Sequence, residues 1–290
     1  MQPPPLSFLV AESEPPQARA KRRRSVGKSS GETYVETLRA IAPDARCHRL
    51  KPADGEAELP KGAALAGYDG VFVTGSPLHA YDDTPETRRE VEFMRAVFAA
   101  GTPAFGSCAG LQMATVAAGG TVRRARNGRE AAFARRIMPT EVGRTHPLLA
   151  GRPAAYDAPS FHTDEVEQLP EGAVLLASNP LTKVQAAEIR QGEGVFWGVQ
   201  YHPEIGLDEV AGALRRQSDE LVREGFARTG SDIEDHAAEI EALHREPARR
   251  DLAWRLGLDQ EVTEPSRRVV EIRNFIEQLA QPHRSARGRA

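Results

Sequence analysis

One of the chain's two cysteines, Cys108, stands in Gly106-Ser107-Cys108-Ala109-Gly110, between a short apolar run and a stretch with helical spacing. A nucleophile on a sharp strand-to-helix turn crowds its own backbone, and glycines two residues to either side relieve that crowding. Such a turn projects the thiol beyond the carboxyl edge of the sheet, where open α/β sheets bind ligands. The N-terminus of the following helix favours negative charge, hence a thiolate. A free cysteine alone is more often a small buried hydrophobe, so the reading turns on a partner. Residues 194–204, GVFWGVQYHPE, supply one. Val195, Trp197 and Val199 alternate with Phe196, Gly198 and Gln200 as in a strand, which ends at His202-Pro203-Glu204. Residues two apart on an extended segment face the same way, and Pro203 holds the backbone extended. His202 can therefore meet Cys108 while Glu204 accepts a hydrogen bond from the far side of the imidazole. The expected constellation is a Cys108, His202, Glu204 triad for nucleophilic acyl transfer. In residues 73–77, VTGSP, a glycine turn after a strand could present the N–H groups of Gly75 and Ser76, with that of Ala109, to a developing oxyanion.

The elements that must position these groups follow from apolar patterning. Residues 6–10, 45–50, 69–75 and 102–107 read as strands, and 31–41, 84–101 and 109–120 as helices, with Thr84 as N-cap and Pro85 at the first helical position of the second. Val91, Met94 and Phe98 share one face of that helix. Strands alternating with helices predict a flavodoxin-like, open, mostly parallel sheet with flanking helices. Between about 121 and 201 the pattern changes to short β-like segments (130–138, 172–178, 183–190 and 194–201). Charge-rich helical patterns follow, one opened by a capping box at Ser231 to Glu234 and one carrying the apolar stripe Val269, Ile272, Ile276 and Leu279. We therefore expect a catalytic domain over 1–206 and a helical C-terminal extension over 207–290. The stripe suits either intramolecular packing or dimerisation.

At 290 residues with 40% hydrophobic residues the chain can bury a full core. No run approaches a membrane span and the start lacks a signal-peptide pattern, so a cytoplasmic protein is expected. A net charge of -3 argues against nucleic-acid binding. Cys47 and Cys108 are expected to stay unpaired in a reducing compartment, and the remaining histidines, among them His48, His79, His146, His236 and His244, lack metal-ligand spacing. Neither a metal nor a cofactor is implied. Residues 12–32 are basic and read as a disordered charged loop, or as a site for an anionic acceptor. SVGKSS within them is not a phosphate-binding loop, because Arg22 stands where that motif requires glycine.

The segments 106–112, GSCAGLQ, and 198–204, GVQYHPE, with Thr74-Gly75-Ser76-Pro77 upstream, resemble the class I (triad) glutamine amidotransferases, in particular the glutaminase domain of GMP synthase and its stand-alone relatives. The likeness runs over about residues 6–206. It implies attack of Cys108 on the side-chain amide of glutamine, with His202 protonating the departing ammonia and later activating water against a γ-glutamyl thioester. It also implies substrate contacts from Gln112 and from Ser160, Phe161, His162 and Asp164, with Asp164 on the substrate amino group. Ser107 stands where the family has an aliphatic residue, a change the small, sheet-facing position should tolerate. No ATP-pyrophosphatase signature is present, so ammonia transfer would need a synthetase partner protein. The triad equally suits a γ-glutamyl peptidase or hydrolase with water as acceptor, and a silent scaffold is the third reading. The sequence leaves a homo-oligomer open.

Overall fold

The computed structural model describes residues 4–288. The first strand, β1 (Ser7–Ala11), is apolar along its length because both faces of a parallel sheet are covered. It pairs in parallel with β2 (Arg46–Leu50) on one side and β3 (Gly70–Val73) on the other. Beyond β3 lie β4 (Ala104–Ser107) and β11 (Gly194–Val199), also parallel. Antiparallel β10 (Ala186–Gln191), β9 (Val174–Ser178), β6 (Phe133–Pro139) and β7 (Tyr156–Pro159) extend the sheet to nine strands in the order β2-β1-β3-β4-β11-β10-β9-β6-β7. A small second sheet joins β5 (Thr121–Arg124) to β8 (Asp164–Gln168). The architecture is the large, mostly parallel mixed sheet that the strand and helix alternation predicts.

Flanking helices bury opposite faces. Phe8, Val10, Phe72, Phe105 and Trp197 point into one core, and Leu9, Val71, Val73 and Phe196 into the other, the period of two expected of strands. The helix Pro85–Ala99 begins as read, with Thr84 Oγ1 accepting the N–H of Thr87 at 3.2 Å, and buries Val91, Met94 and Phe98 in the second core. Gly230–Arg245 is also helical, but its capping box lies two residues before the expected one: Thr229, extended at φ -140°, accepts from Asp232 N–H.

The C-terminal helices reach back into the sheet. Ile272, Phe275 and Ile276 lie in the first core, with the Phe275 ring edge-on to Phe72 at 5.1 Å. The stripe expected at 269–279 is thus engaged within the chain, with Leu279 packed against the same core. Removing a ring so enclosed costs about 3–5 kcal/mol. Buried Arg152 fastens this segment through Glu261 at 2.8 Å and Glu271 at 2.7 Å, and Tyr201, one residue before His202, donates to Glu271 at 2.8 Å.

The basic stretch near the N-terminus is ordered. Pro16–Val26 is a helix, with Pro16 at its first turn and Gly27 closing it at φ 79°. Its cations have acidic partners: Arg19 with Asp54, Arg22 with Glu209 and Arg23 with Glu32. Charge on every side hides a helix from a search for an apolar stripe, which is why the loop reading failed.

Candidate active site

β4 and β11 are neighbours in register, Ser107 opposite Val199, and both end at the carboxyl edge of the sheet. Cys108 follows β4, its N–H bonded to Val199 O at 2.8 Å. It has φ 51° and ψ -110°, a positive φ outside the usual range for a side-chain-bearing residue, and caps the helix Ala109–Ala117. The flanking glycines permit this turn. A Cβ on Gly106 would stand 2.9 Å from Phe196 Cζ, and one on Gly110 would stand 2.6 Å from Val73 O. Backbone strain held this firmly is characteristic of functional positions.

His202 and Glu204 come from the turn after β11. His202 Nδ1 donates to Glu204 Oε1 at 2.7 Å, and both residues are buried. Burial pulls the imidazolium down, but the Glu204 charge and hydrogen bonds with Cys108 and Glu204 overcome it and push His202 up to about 10. Gly75 packs on the ring so closely that a Cβ there would meet His202 Cε1 at 2.6 Å.

Behind the histidine runs a chain that the sequence did not disclose. Ser107 Oγ donates to Glu204 Oε1 at 2.9 Å, and Tyr34 OH, 2.7 Å from Ser107 Oγ, donates to it in turn. Tyr34 and Ser107 are fully buried. Ser107 is therefore a hydrogen-bond donor to Glu204 rather than a neutral replacement for an aliphatic side chain.

The other expected site residues separate into two groups. Gly75, Ser76, Gln112, Phe161, His162 and Asp164 border one cleft of about 530 Å³ with Cys108, His202 and Glu204. Ala109 opens the helix, where first-turn N–H groups have no intrahelical acceptor. Ser76 Oγ is tied to Ser13 O at 2.8 Å. Gln112 Nε2 donates to Asp164 O and to Gln200 Oε1, each at 3.2 Å, so it braces the wall. His162 is committed on both ring nitrogens, to Asp164 O and to Glu130 Oε2, each at 2.8 Å. The Asp164 carboxylate is engaged by His79 Nδ1 at 2.5 Å and by Tyr81 OH at 3.2 Å. Ser160 departs from expectation: it is wholly buried and off the cleft wall, just past the end of β7, with its N–H bonded to Ala132 O at 2.9 Å. His79, which has no metal-ligand spacing in the sequence, also borders the cleft. Among the described residues there is no cluster suited to a metal ion, and no helix long and apolar enough to cross a membrane.

An open α/β sheet carrying a strained cysteine beside a carboxylate-backed histidine defines a class of thiol-bearing α/β proteins. A model of the class-I glutamine amidotransferase family matches residues 28–217, and the chain belongs to that family. It is 37% identical over 285 residues to a gamma-glutamyl-L-1-hydroxyisopropylamide hydrolase of a Pseudomonas species, covering 96% of this chain and 94% of that protein. A glutamine-hydrolyzing GMP synthase of Macrococcus caseolyticus is 32% identical over 172 residues, which are 59% of this chain and 30% of that protein. Among solved structures, a glutamine amidotransferase of Thermotoga maritima shares the fold with a TM-score of 0.65 at 16% identity, over 95% of this chain and 98% of that one.

Proposed function

We propose that the protein hydrolyses a γ-glutamyl amide through a thioester on Cys108, with water as the final acceptor. The observation that carries this reading is the grouping of Cys108, His202 and Glu204 at two adjacent strand ends on one cleft. The extent of the likeness to the Pseudomonas hydrolase favours an N-substituted amide over glutamine. That relative matches along nearly its whole length, including segments outside the family model, whereas the GMP synthase matches over 59% of this chain.

In the proposed reaction the His202 imidazolium supplies the positive charge against which the thiolate is held. Sulfur attacks the γ-carbonyl carbon, and the oxyanion is received by N–H groups from Gly75, Ser76 and Ala109. His202 gives its proton to the amine nitrogen as the C–N bond breaks, leaving a γ-glutamyl thioester and neutral imidazole. The imidazole then takes a proton from water, hydroxide adds to the thioester, and the thiolate leaves, so that glutamate forms and the imidazolium is restored. Gln112, Phe161, His162 and Asp164 shape the glutamyl side of the cleft. The GMP synthase likeness favours a second reading, glutaminase activity with ammonia passed to a synthetase partner.

The test is incubation of the protein and its Cys108→Ala variant with glutamine and with γ-glutamyl amides, following amine or ammonia release and the mass of any covalent adduct. Cys108-dependent release of substituted amines is the expected result. Turnover of glutamine alone would transfer the case to the second reading, and turnover surviving Cys108→Ala would end both.

A further inference from the structure

Residues 161–164 form the wall of the cleft beside the nucleophile: Phe161, His162, Thr163 and Asp164 all border it, and Phe161 O lies 3.8 Å from Cys108 Sγ. What holds this wall is buried behind it. The His162 side chain is 1% exposed, and so is that of Glu130, whose Oε2 lies 2.8 Å from His162 Nε2. The two residues are also bridged along the backbone, each N–H donating to the other's carbonyl at 3.1 Å. On its other side the ring meets Asp164 O at 2.8 Å, the carbonyl that also receives Gln112 Nε2 at 3.2 Å. Glu130 thus acts on the wall without bordering the cleft itself.

The partners of the pair fix its protons. Asn179 Oδ1 accepts the N–H groups of Leu181 and Thr182, which orients the amide so that Nδ2 donates to Glu130 Oε1 at 2.5 Å. Gln185 Nε2 and the Thr182 hydroxyl donate to Oε2 at 2.7 and 3.3 Å. Burial works to raise this carboxyl, but the hydrogen bond and charge of His162, with those two amides, overcome it and hold Glu130 below its ordinary value. The His162 ring therefore faces two atoms that only accept, a carbonyl and a carboxylate, whereas a neutral imidazole has a single donor nitrogen. The neighbouring charges have partners of their own: the Asp164 carboxylate with His79 and Tyr81, Glu165 with Arg123, and Arg129 with Glu220 and Glu224.

We propose that His162 is a buried imidazolium with a proton on each nitrogen, and that Glu130 is the positioning residue that sets the wall at 161–164 through it. Both ring nitrogens are spent on the wall, so His162 supports the substrate site from behind instead of touching substrate through its ring, as the family likeness implies. Breaking a buried pair strands a charge, so loss of the Glu130 carboxylate makes the ring give up a proton and one of its two anchors. Residues 161–164 then lose their fixed placement against Gln112. Substrate binding carries the effect, because His202 and Glu204 are held to each other and to Ser107, and Cys108 to Val199, by contacts the pair does not share. The inference rests on the hydrolase reading for the substrate, and on the buried pair alone for the protons.

The test compares the wild type with Glu130→Gln and Glu130→Asp by nitrogen NMR of the histidines and by steady-state turnover of γ-glutamyl ethylamide and glutamine. The His162 signals are assigned by their loss in His162→Gln. Both His162 nitrogens of the wild type are expected to be protonated at neutral pH, and one of them to lose its proton in Glu130→Gln. In that variant KM should rise by about tenfold or more with kcat within about threefold, and Glu130→Asp, which keeps the charge, should recover part of the loss. A neutral His162 in the wild type overturns the proposal, as does a ring still doubly protonated in Glu130→Gln. So does a folded Glu130→Gln protein whose KM lies within about twofold of wild type or whose loss is confined to kcat. Should Glu130→Gln not fold, Glu130→Asp is read in its place: a raised KM supports the positioning role and an unchanged one refutes it. If the wild type turns over neither compound, the hydrolase reading fails separately, and the nitrogen spectra with hydrogen exchange at the His162 amide decide. Faster exchange in Glu130→Gln then supports the proposal, and unchanged exchange overturns it.

Discussion

Ser107→Ala isolates the buried chain behind the histidine. The substitution removes the donor 2.9 Å from Glu204 Oε1 and leaves the Tyr34 hydroxyl without its acceptor. Glu204 Oε2 already lacks a partner, so no second protein donor covers the loss. A hydrogen bond to a charged group contributes about 1.5–3 kcal/mol. Expressed fully in holding Glu204 against His202, that is a fall in kcat of about tenfold to a hundredfold, at about 1.4 kcal/mol per factor of ten. Ser107 would act through Glu204 as a positioning residue, so KM for a γ-glutamyl amide should change by less than about threefold. Tyr34→Phe leaves the contact between Ser107 and Glu204 in place and should cost less. The assay is steady-state amine release by the three proteins, with circular dichroism and thermal melts to confirm folding. A folded Ser107→Ala protein with kcat within about twofold of wild type, or one whose loss lies in KM, would refute the reasoning.

Three further outcomes follow from the same geometry. Glu204→Gln removes the charge that offsets burial at His202, so the alkaline limb of the pH–rate profile should move down from its expected place near 10, with kcat lower by about a hundredfold or more. Burial pushes Glu90 up from 4.5 to about 7, against hydrogen bonds from Ser13 and Ala53. The folded state thus keeps this proton where the unfolded chain has lost it, so the stability present below pH 4.5 falls by about 3 kcal/mol as pH rises through 7, and Glu90→Gln should flatten that part of the melting profile. Cys108→Gly should abolish turnover yet raise stability by about 1 kcal/mol, because glycine tolerates φ 51° and ψ -110°, and an unchanged or lower melting temperature would contradict the strain at this turn.

The sharp turn at Cys108 was legible because its constraints are local. Gly106 and Gly110 lie within two residues of Cys108, and each admits a close approach that any Cβ would block. The meeting of His202 with Glu204 was also legible from their two-residue spacing, although the segment is a turn after β11, closed by Ile205 N–H on His202 O, rather than the extended strand end expected. The parallel core was readable because strands buried on both faces are continuous in apolar residues, as in residues 6–10 and 69–73. What escaped was contact between residues far apart in sequence and of no particular period. Tyr34 meets Ser107 across 73 positions, and His79 meets Asp164 across 85. A serine in place of an aliphatic residue is a signal in retrospect, since a hydroxyl so close to a buried carboxylate is cheaper to keep as a donor than to bury unpaired.

The helix Pro16–Val26 shows how charge can conceal an element and still hold it in place. Its mean composition is too polar for a core stripe, and what holds it is a set of single ion pairs to Asp54, Glu209 and Glu32, distant in the chain. Exposed pairs of this kind contribute little each, but the pairs from Arg19 and Arg22 are largely buried, where losing one partner strands a charge. Those two anchors fix the helix over the cleft and leave Lys21 on its rim without a carboxylate. The strand ends carry the candidate chemistry, and this helix supplies one wall of the cleft beside them.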